Sequence, residues 1–116
     1  MRKMGILKKE EKEILQKIED IYNNVIKKYI GKNNLYEKVA SEIGYYPLSD
    51  DEDILFVYSI NYIDIYFFDG VRWLIAGFNE DGKLLNVSWA HTLRDVTYKD
   101  YIFLYNCLKE LSIKLV

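Results

Sequence analysis

The sequence predicts an α+β domain in the order α-α-β-β-β-β-α, because three patterns follow one another along the chain. Apolar residues recur at helical spacing as far as residue 43, alternate with a period of two from residue 54 to residue 89, and return to helical spacing after Thr97. Two helices before an antiparallel sheet and one after it pack most simply on one sheet face. The other face is then left partly wet or open to a partner.

The first helix is the clearest element. From Lys8 to Ile30 the residues Ile14, Leu15, Ile18, Ile21, Tyr22, Val25, Ile26 and Tyr29 fall three and four apart, with Lys, Glu and Asn on the opposite side. Gly31 follows in the position that accepts a left-handed helix end, so the helix is expected to stop there. Asn34 with Glu37 reads as a capping box, and Leu35, Tyr36, Val39, Ala40 and Ile43 form a second, shorter stripe that ends at Gly44. Pro47 draws Tyr46 out of helical geometry, and the acidic run Ser49-Asp50-Asp51-Glu52-Asp53 has little β preference. Residues 45–53 are expected to form a loop.

Four strands follow. Ile54, Phe56, Tyr58 and Ile60 alternate with Leu55, Val57 and Ser59, and Tyr62 to Phe68 forms a second strand whose pattern Asp64 interrupts. Asp69-Gly70 reads as a tight hairpin turn that pairs Phe68 with Val71 and Asp64 with Ile75. That register puts Tyr66, Asp64, Trp73 and Ile75 on one side, and Ile63, Ile65, Phe67, Leu74, Ala76 and Phe78 on the other. It gives no bridge between Asp64 and Arg72. Asn79-Glu80-Asp81-Gly82 is a second turn, and in the fourth strand, Lys83 to Trp89, Leu85, Val87 and Trp89 share a face against Asn86 and Ser88. Thr97 with Asp100 caps a final helix striped by Tyr101, Leu104, Tyr105, Leu108 and Leu111.

Composition narrows the function classes. One chain of 116 residues, half of them hydrophobic, supports one core and therefore one domain, residues 1–116. A single cysteine, Cys107, makes no internal disulfide, and no Cys/His cluster offers a zinc site. The first residues run into Lys8-Lys9-Glu10-Glu11 before an export signal could form, and Asp64, Asp69 and Arg72 break the apolar stretches well short of a membrane span. A cytoplasmic, non-membrane protein is expected. Residues 1–32 carry nine Lys/Arg against five Asp/Glu, whereas residues 33–116 carry seven against thirteen. An acidic body repels phosphate backbones, so nucleic acid is not the expected partner, and a basic protein is.

No residue pattern announces catalysis. His91, the one histidine, stands where the fourth strand should end, with Asp95 or Tyr98 as acid–base partners in a catalytic reading, but with no Ser, Cys or second His near it in sequence a hydrogen-bonded loop histidine is the plainer reading. Asp50, Asp51, Glu52 and Asp53 lack the glycine that a calcium loop needs at its sharp turn. They suit an acidic contact patch beside Tyr45 and Tyr46, or a solvated loop that guards the first strand's edge. Trp73 shares its sheet side with Tyr66 and Ile75, and because both sides carry aromatic residues this second side is expected to be covered, either by a helix or by a partner for which Tyr and Trp are a binding signature. Cys107, among leucines, reads as core. The expectation is therefore a non-enzymatic protein-binding domain without cofactor, of the immunity or antitoxin kind, that covers the active surface of a basic toxin or effector such as a nuclease. It would bind through Tyr45, Tyr46, Asp50, Asp51, Glu52, Asp53, Trp73 and His91. The alternatives are a small enzyme working through His91 and a homodimer that buries its second sheet face against a copy.

Overall fold

The structure, a computed structural model, describes residues 8–32, 45–47, 53–58 and 62–115, with residues 31, 32, 45–47 and 58 described by their backbone alone. The N-terminal helical stretch consists of α1 (Lys9–Ile21), one π-helical turn (Tyr22–Ile26) and α2 (Lys27–Lys32). Five of its buried residues, Ile14, Ile18, Tyr22, Ile26 and Ile30, are spaced strictly by four, with Glu11 and Leu15 buried beside them. An α-helix turns once in about 3.6 residues, so each such step overshoots by roughly 40° and the stripe would wind steadily off the core. The wider turn, in which the Lys27 N–H donates five residues back to the Tyr22 carbonyl, rotates the stripe back. Ile14 and Ile30 thus belong to one core. The helix runs through Gly31 to Lys32 instead of stopping before it, since glycine permits a left-handed end without imposing one. The second helix expected over residues 34–43 lies outside the described residues.

The sheet is an antiparallel meander in chain order: β1 (Tyr45–Pro47), β2 (Ile54–Tyr58), β3 (Tyr62–Phe68), β4 (Trp73–Asn79) and β5 (Leu84–Trp89). The four expected strands are β2 to β5. β1 corrects the loop expected at 45–47. The proline constraint that takes Tyr46 out of helical geometry also leaves it extended, and Tyr45 and Tyr46 then pair with Val57 and Phe56. Pro47, which has no N–H to donate, is tolerated because β1 is an edge strand.

The β3–β4 hairpin departs from its expected register by two residues, pairing Phe68 with Trp73, Tyr66 with Ile75 and Asp64 with Gly77. The cause is Asp69. Its carboxylate accepts the N–H groups of Val71 (2.8 Å) and Arg72 (2.6 Å), and its own N–H donates to the Arg72 carbonyl (3.0 Å). Asp69 therefore precedes the turn, and Gly70, at φ +103°, opens it. Moving a turn by one residue moves the register by two, so every side chain keeps its expected face. The β4–β5 pairing contains a bulge, with Gly77 opposite Asn86 and Phe78 opposite Leu84. Leu85 is the extra residue. It is exposed, and Leu84 joins Val87 and Trp89 in the core in its place, contrary to simple alternation.

The C-terminal helix α3 (Tyr98–Leu115) begins at the expected cap: the Asp100 carboxylate accepts the Thr97 N–H at 2.8 Å and the Thr97 hydroxyl at 3.2 Å. Tyr101, Leu104, Leu108 and Leu111 bury against the same sheet face as the N-terminal stretch, with Phe56, Ile63, Ile65, Phe67, Leu74, Ala76 and Phe78 between them. Among the described residues no helix is long and apolar enough to cross a membrane.

One contact sets the helix on the sheet. Tyr22 stacks on Phe78 with ring centres 3.8 Å apart and planes 3° from parallel. The next residue, Asn23, donates through its amide to the Glu19 carbonyl (2.8 Å) and the Gly82 carbonyl (3.0 Å), while the Glu19 carboxylate accepts the Leu84 N–H at 3.2 Å. Gly82 has φ +82°, and a Cβ there would collide with the Asn23 side chain. Gly82→Ala is expected to destabilise the fold by at least about 2 kcal/mol, combining left-handed strain with that collision. Asn23→Ala should cost about 1–2 kcal/mol for its two hydrogen bonds. The double variant, which removes the collision but keeps the strain, should be less destabilised than the two single losses together, as read from denaturant unfolding of all four proteins.

Candidate functional site: the open sheet face

Because the alternation of β2, β3 and β4 sends one set of side chains to the helices, it sends the other set to the opposite face. That face carries Leu55, Val57, Tyr66, Phe68, Trp73 and Ile75, all half-buried, together with the exposed Tyr62. Both described helical stretches pack on the other side. At one end Trp73 meets Phe68 at 4.9 Å in a tilted contact and Tyr66 at 6.3 Å in an edge contact. Aromatic pairs at these separations attract one another beyond the apolar area they bury.

A single carboxylate interrupts it. One row across the sheet reads Val57, Asp64, Gly77, Asn86. The position of a Cβ on Gly77 lies 2.7 Å from Asp64 Oδ1, so the carboxylate leans into the space that any other residue at 77 would fill. Among the described residues Asp64 makes no hydrogen bond or ion pair, and its row neighbours Val57, Gly77 and Asn86 bear no charge. Burial alone raises its pKa above the ordinary 3.8. Asp69 shows the opposite case: the N–H groups of Arg72 and Val71 hold its carboxyl below that value.

The residues singled out from the sequence are distributed as follows. Trp73 lies at the heart of the aromatic cluster. Tyr45 and Tyr46 are placed by the β1 backbone, Tyr45 in register with Val57 and hence with the Asp64 row. Asp50, Asp51 and Glu52 lie outside the described residues; Asp53 is exposed at the entry to β2, and its carbonyl accepts the Phe68 N–H at 2.9 Å. His91 is exposed in the turn after β5, at φ +57°. The Ala90 N–H donates to the Trp73 carbonyl at 2.9 Å, which brings that turn to the end of β4 where Trp73 begins. Among the described residues nothing hydrogen-bonds the imidazole, so nothing orients it as an acid or base.

Two further features were not foreseen. Trp89 donates its indole N–H to Asp100 at 3.3 Å, and the guanidinium carbons of Arg72 and Arg94 stand 5.1 and 5.4 Å from its ring centre. Arg94 also approaches Asp100 at 3.7 Å, so this cluster ties the end of β5 and the 90–97 loop to the start of α3. The second is a cleft of about 220 Å³ between Phe67, Phe68, Phe103 and Cys107, smaller than the roughly 300–1,000 Å³ of most ligand pockets. Burial first, and the Glu110 charge second, push the Cys107 thiol up to about 12, so it stays protonated and unreactive near neutral pH. Among the described residues no group of three His, Cys, Asp or Glu side chains could hold a metal ion.

Compared with known protein families, with curated proteins and with solved structures, the chain matches none.

A carboxylate whose pKa is raised by folding binds its proton more tightly in the native than in the unfolded state, so its ionised form opposes folding at neutral pH. Asp64→Asn should therefore be more stable than the parent protein at pH 7 by a fraction of a kcal/mol, small because the group is half open to solvent. The advantage should shrink as pH falls through the raised pKa and vanish below 3.8. Urea denaturation of both proteins across that range tests this. A parent protein that is the more stable at pH 7 would show that the carboxylate has a stabilising partner.

Proposed function

We propose that the chain is a non-enzymatic protein-binding domain of the immunity or antitoxin kind, acting in the cytoplasm by covering the active surface of a basic toxin or effector, such as a cationic nuclease. The observation that carries this reading is the second sheet face, an array of half-buried aromatic and aliphatic side chains around a carboxylate that is unpaired among the described residues, turned away from both described helical stretches. Contiguous apolar surface accessible to solvent marks interaction sites, and Trp and Tyr supply much of the binding energy where they are central. Charge favours a cationic partner. Residues 33–116 carry thirteen Asp/Glu against seven Lys/Arg, so a basic enzyme would be steered toward the body of the domain. The same argument disfavours a copy of the chain as occupant: a two-fold contact centred on this face would bring two Asp64 carboxylates together without a counter-charge.

The test begins with affinity capture from the native cell extract on the parent protein, on Trp73→Ala, and on a variant with Asp50, Asp51 and Asp53 changed to Asn and Glu52 to Gln. The captured protein is identified, purified and assayed. Trp73→Ala is expected to weaken its binding by at least about tenfold, the effect of removing a central aromatic anchor. The acidic-run variant should slow association, most visibly at low salt. Stoichiometric parent protein should abolish the partner's enzymatic activity; full activity in the complex would refute the inhibitor reading. Binding unchanged by Trp73→Ala would move the docking surface off this face, and a dimeric mass from light scattering would turn the face toward self-association.

A further inference from the structure

We propose that the Asp64–Gly77 notch is the seat for one arginine side chain of the protein partner. This inference rests on the reading of the sheet face as the docking surface and names the group that the face selects.

Geometry comes first. β3 is the central strand of five, so Asp64 occupies the middle of the face and not its wet margin. Gly77 offers no side chain, and the Asp64 carboxylate lies low over that strand in the vacated space. Beyond Gly77 in the same row stands Asn86, whose backbone carbonyl lies 3.9 Å from the position of a Cβ on Gly77 and whose side-chain N–H₂ donates to the Ser88 hydroxyl at 3.4 Å. Tyr66 stands two residues along the strand from Asp64 and on the same face, within reach of whatever sits over the carboxylate.

The chemistry of the notch matches a guanidinium better than other groups. A planar guanidinium presents several N–H donors in a rigid fork, pairs with a carboxylate through two parallel bonds, and lies flat on an aromatic ring. Lysine offers a strongly hydrated point charge without that planarity. An apolar partner residue would leave the carboxylate buried and unpaired, which is strongly unfavourable. The notch therefore rewards a cation and rejects an apolar residue, so one position sorts basic partners from others. It also explains why a carboxylate that opposes folding stands in the middle of an apolar face: the stability it removes is recovered on binding.

The probe is N-acetyl-arginine amide, titrated into the ¹⁵N-labelled protein and followed by amide chemical shifts, with N-acetyl-citrulline amide as its uncharged counterpart of nearly the same shape. Saturable shifts at Asp64, Gly77 and Asn86 are expected with the arginine compound at millimolar concentration and not with citrulline. Asp64→Asn should weaken the arginine response at least about tenfold, the loss of a charge-assisted contact. Gly77→Ala, which displaces the carboxylate without removing it, should weaken it as well, and dispersed amide spectra establish that both variants are folded. Equal responses to the two compounds, or an arginine response unchanged in Asp64→Asn, would overturn the proposal. With the partner in hand the two readings separate. Binding lost in Trp73→Ala but kept within twofold in Asp64→Asn would leave the docking face standing and remove the arginine seat, whereas binding unaffected by Trp73→Ala would remove the face itself.

Discussion

The stack of Tyr22 on Phe78, with the hydrogen bonds of Asn23 and Glu19 beside it, decides which side of the sheet is inside. Phe78 belongs to the set of β4 side chains that includes Leu74 and Ala76, so a helix laid on Phe78 closes that face and leaves Trp73, Ile75 and Gly77 on the other. The π turn is what allows the stack. It begins at Tyr22 and returns the buried stripe to the core, while Asn23 within it and Glu19 at the end of α1 meet the β4–β5 turn. π turns recur at functional sites. Here the turn serves the packing: it commits the helix to one face, and neither described helical stretch packs on the other.

Much of this was legible in the chain, because period two and period 3.6 are strong signals and both were clean. The assignment of side chains to faces in β3 and β4 survived a wrong turn position, since a turn displaced by one residue shifts the register by two and returns each side chain to its own side. What could not be read were local competitions. Asp69 lies before the turn and not within it because its carboxylate captures two N–H groups, a choice that the dipeptide Asp-Gly leaves open. The bulge at Leu85 is the insertion of one residue into a strand whose alternation looks regular without it. β1 is three residues long and contains a proline, which is below any periodic signal.

The candidate site was half legible. Trp73 was selected from its residue type and its face, and Asp64 was noted as a break in the pattern, but its meaning needed Gly77. A glycine in the middle of a strand indicates close approach by something, and here that something is the Asp64 carboxylate on the neighbouring strand. The pairing depends on register, and the register depends on the Asp69 turn. The cluster of Arg72, Arg94, Trp89 and Asp100 is further from view, because its members come from a hairpin, a loop, a strand and a helix, and only the Thr97–Asp100 spacing left a trace in the sequence.

A sheet can recognise another protein by its edge or by its face, and this one closes the edge route at both ends. On one side β1 is short and carries Pro47, which removes a donor that an added strand would need. On the other, the bulge at Leu85 distorts β5, and the Leu84 N–H is taken by the Glu19 carboxylate from the helix. Recognition through backbone pairing would have to displace these devices, whereas recognition through side chains would meet the ring contacts of Trp73 with Phe68 and Tyr66. Backbone pairing is also nearly indifferent to sequence. A face that sets one carboxylate among aromatic rings would discriminate by charge at one point and by shape around it, which an edge cannot do.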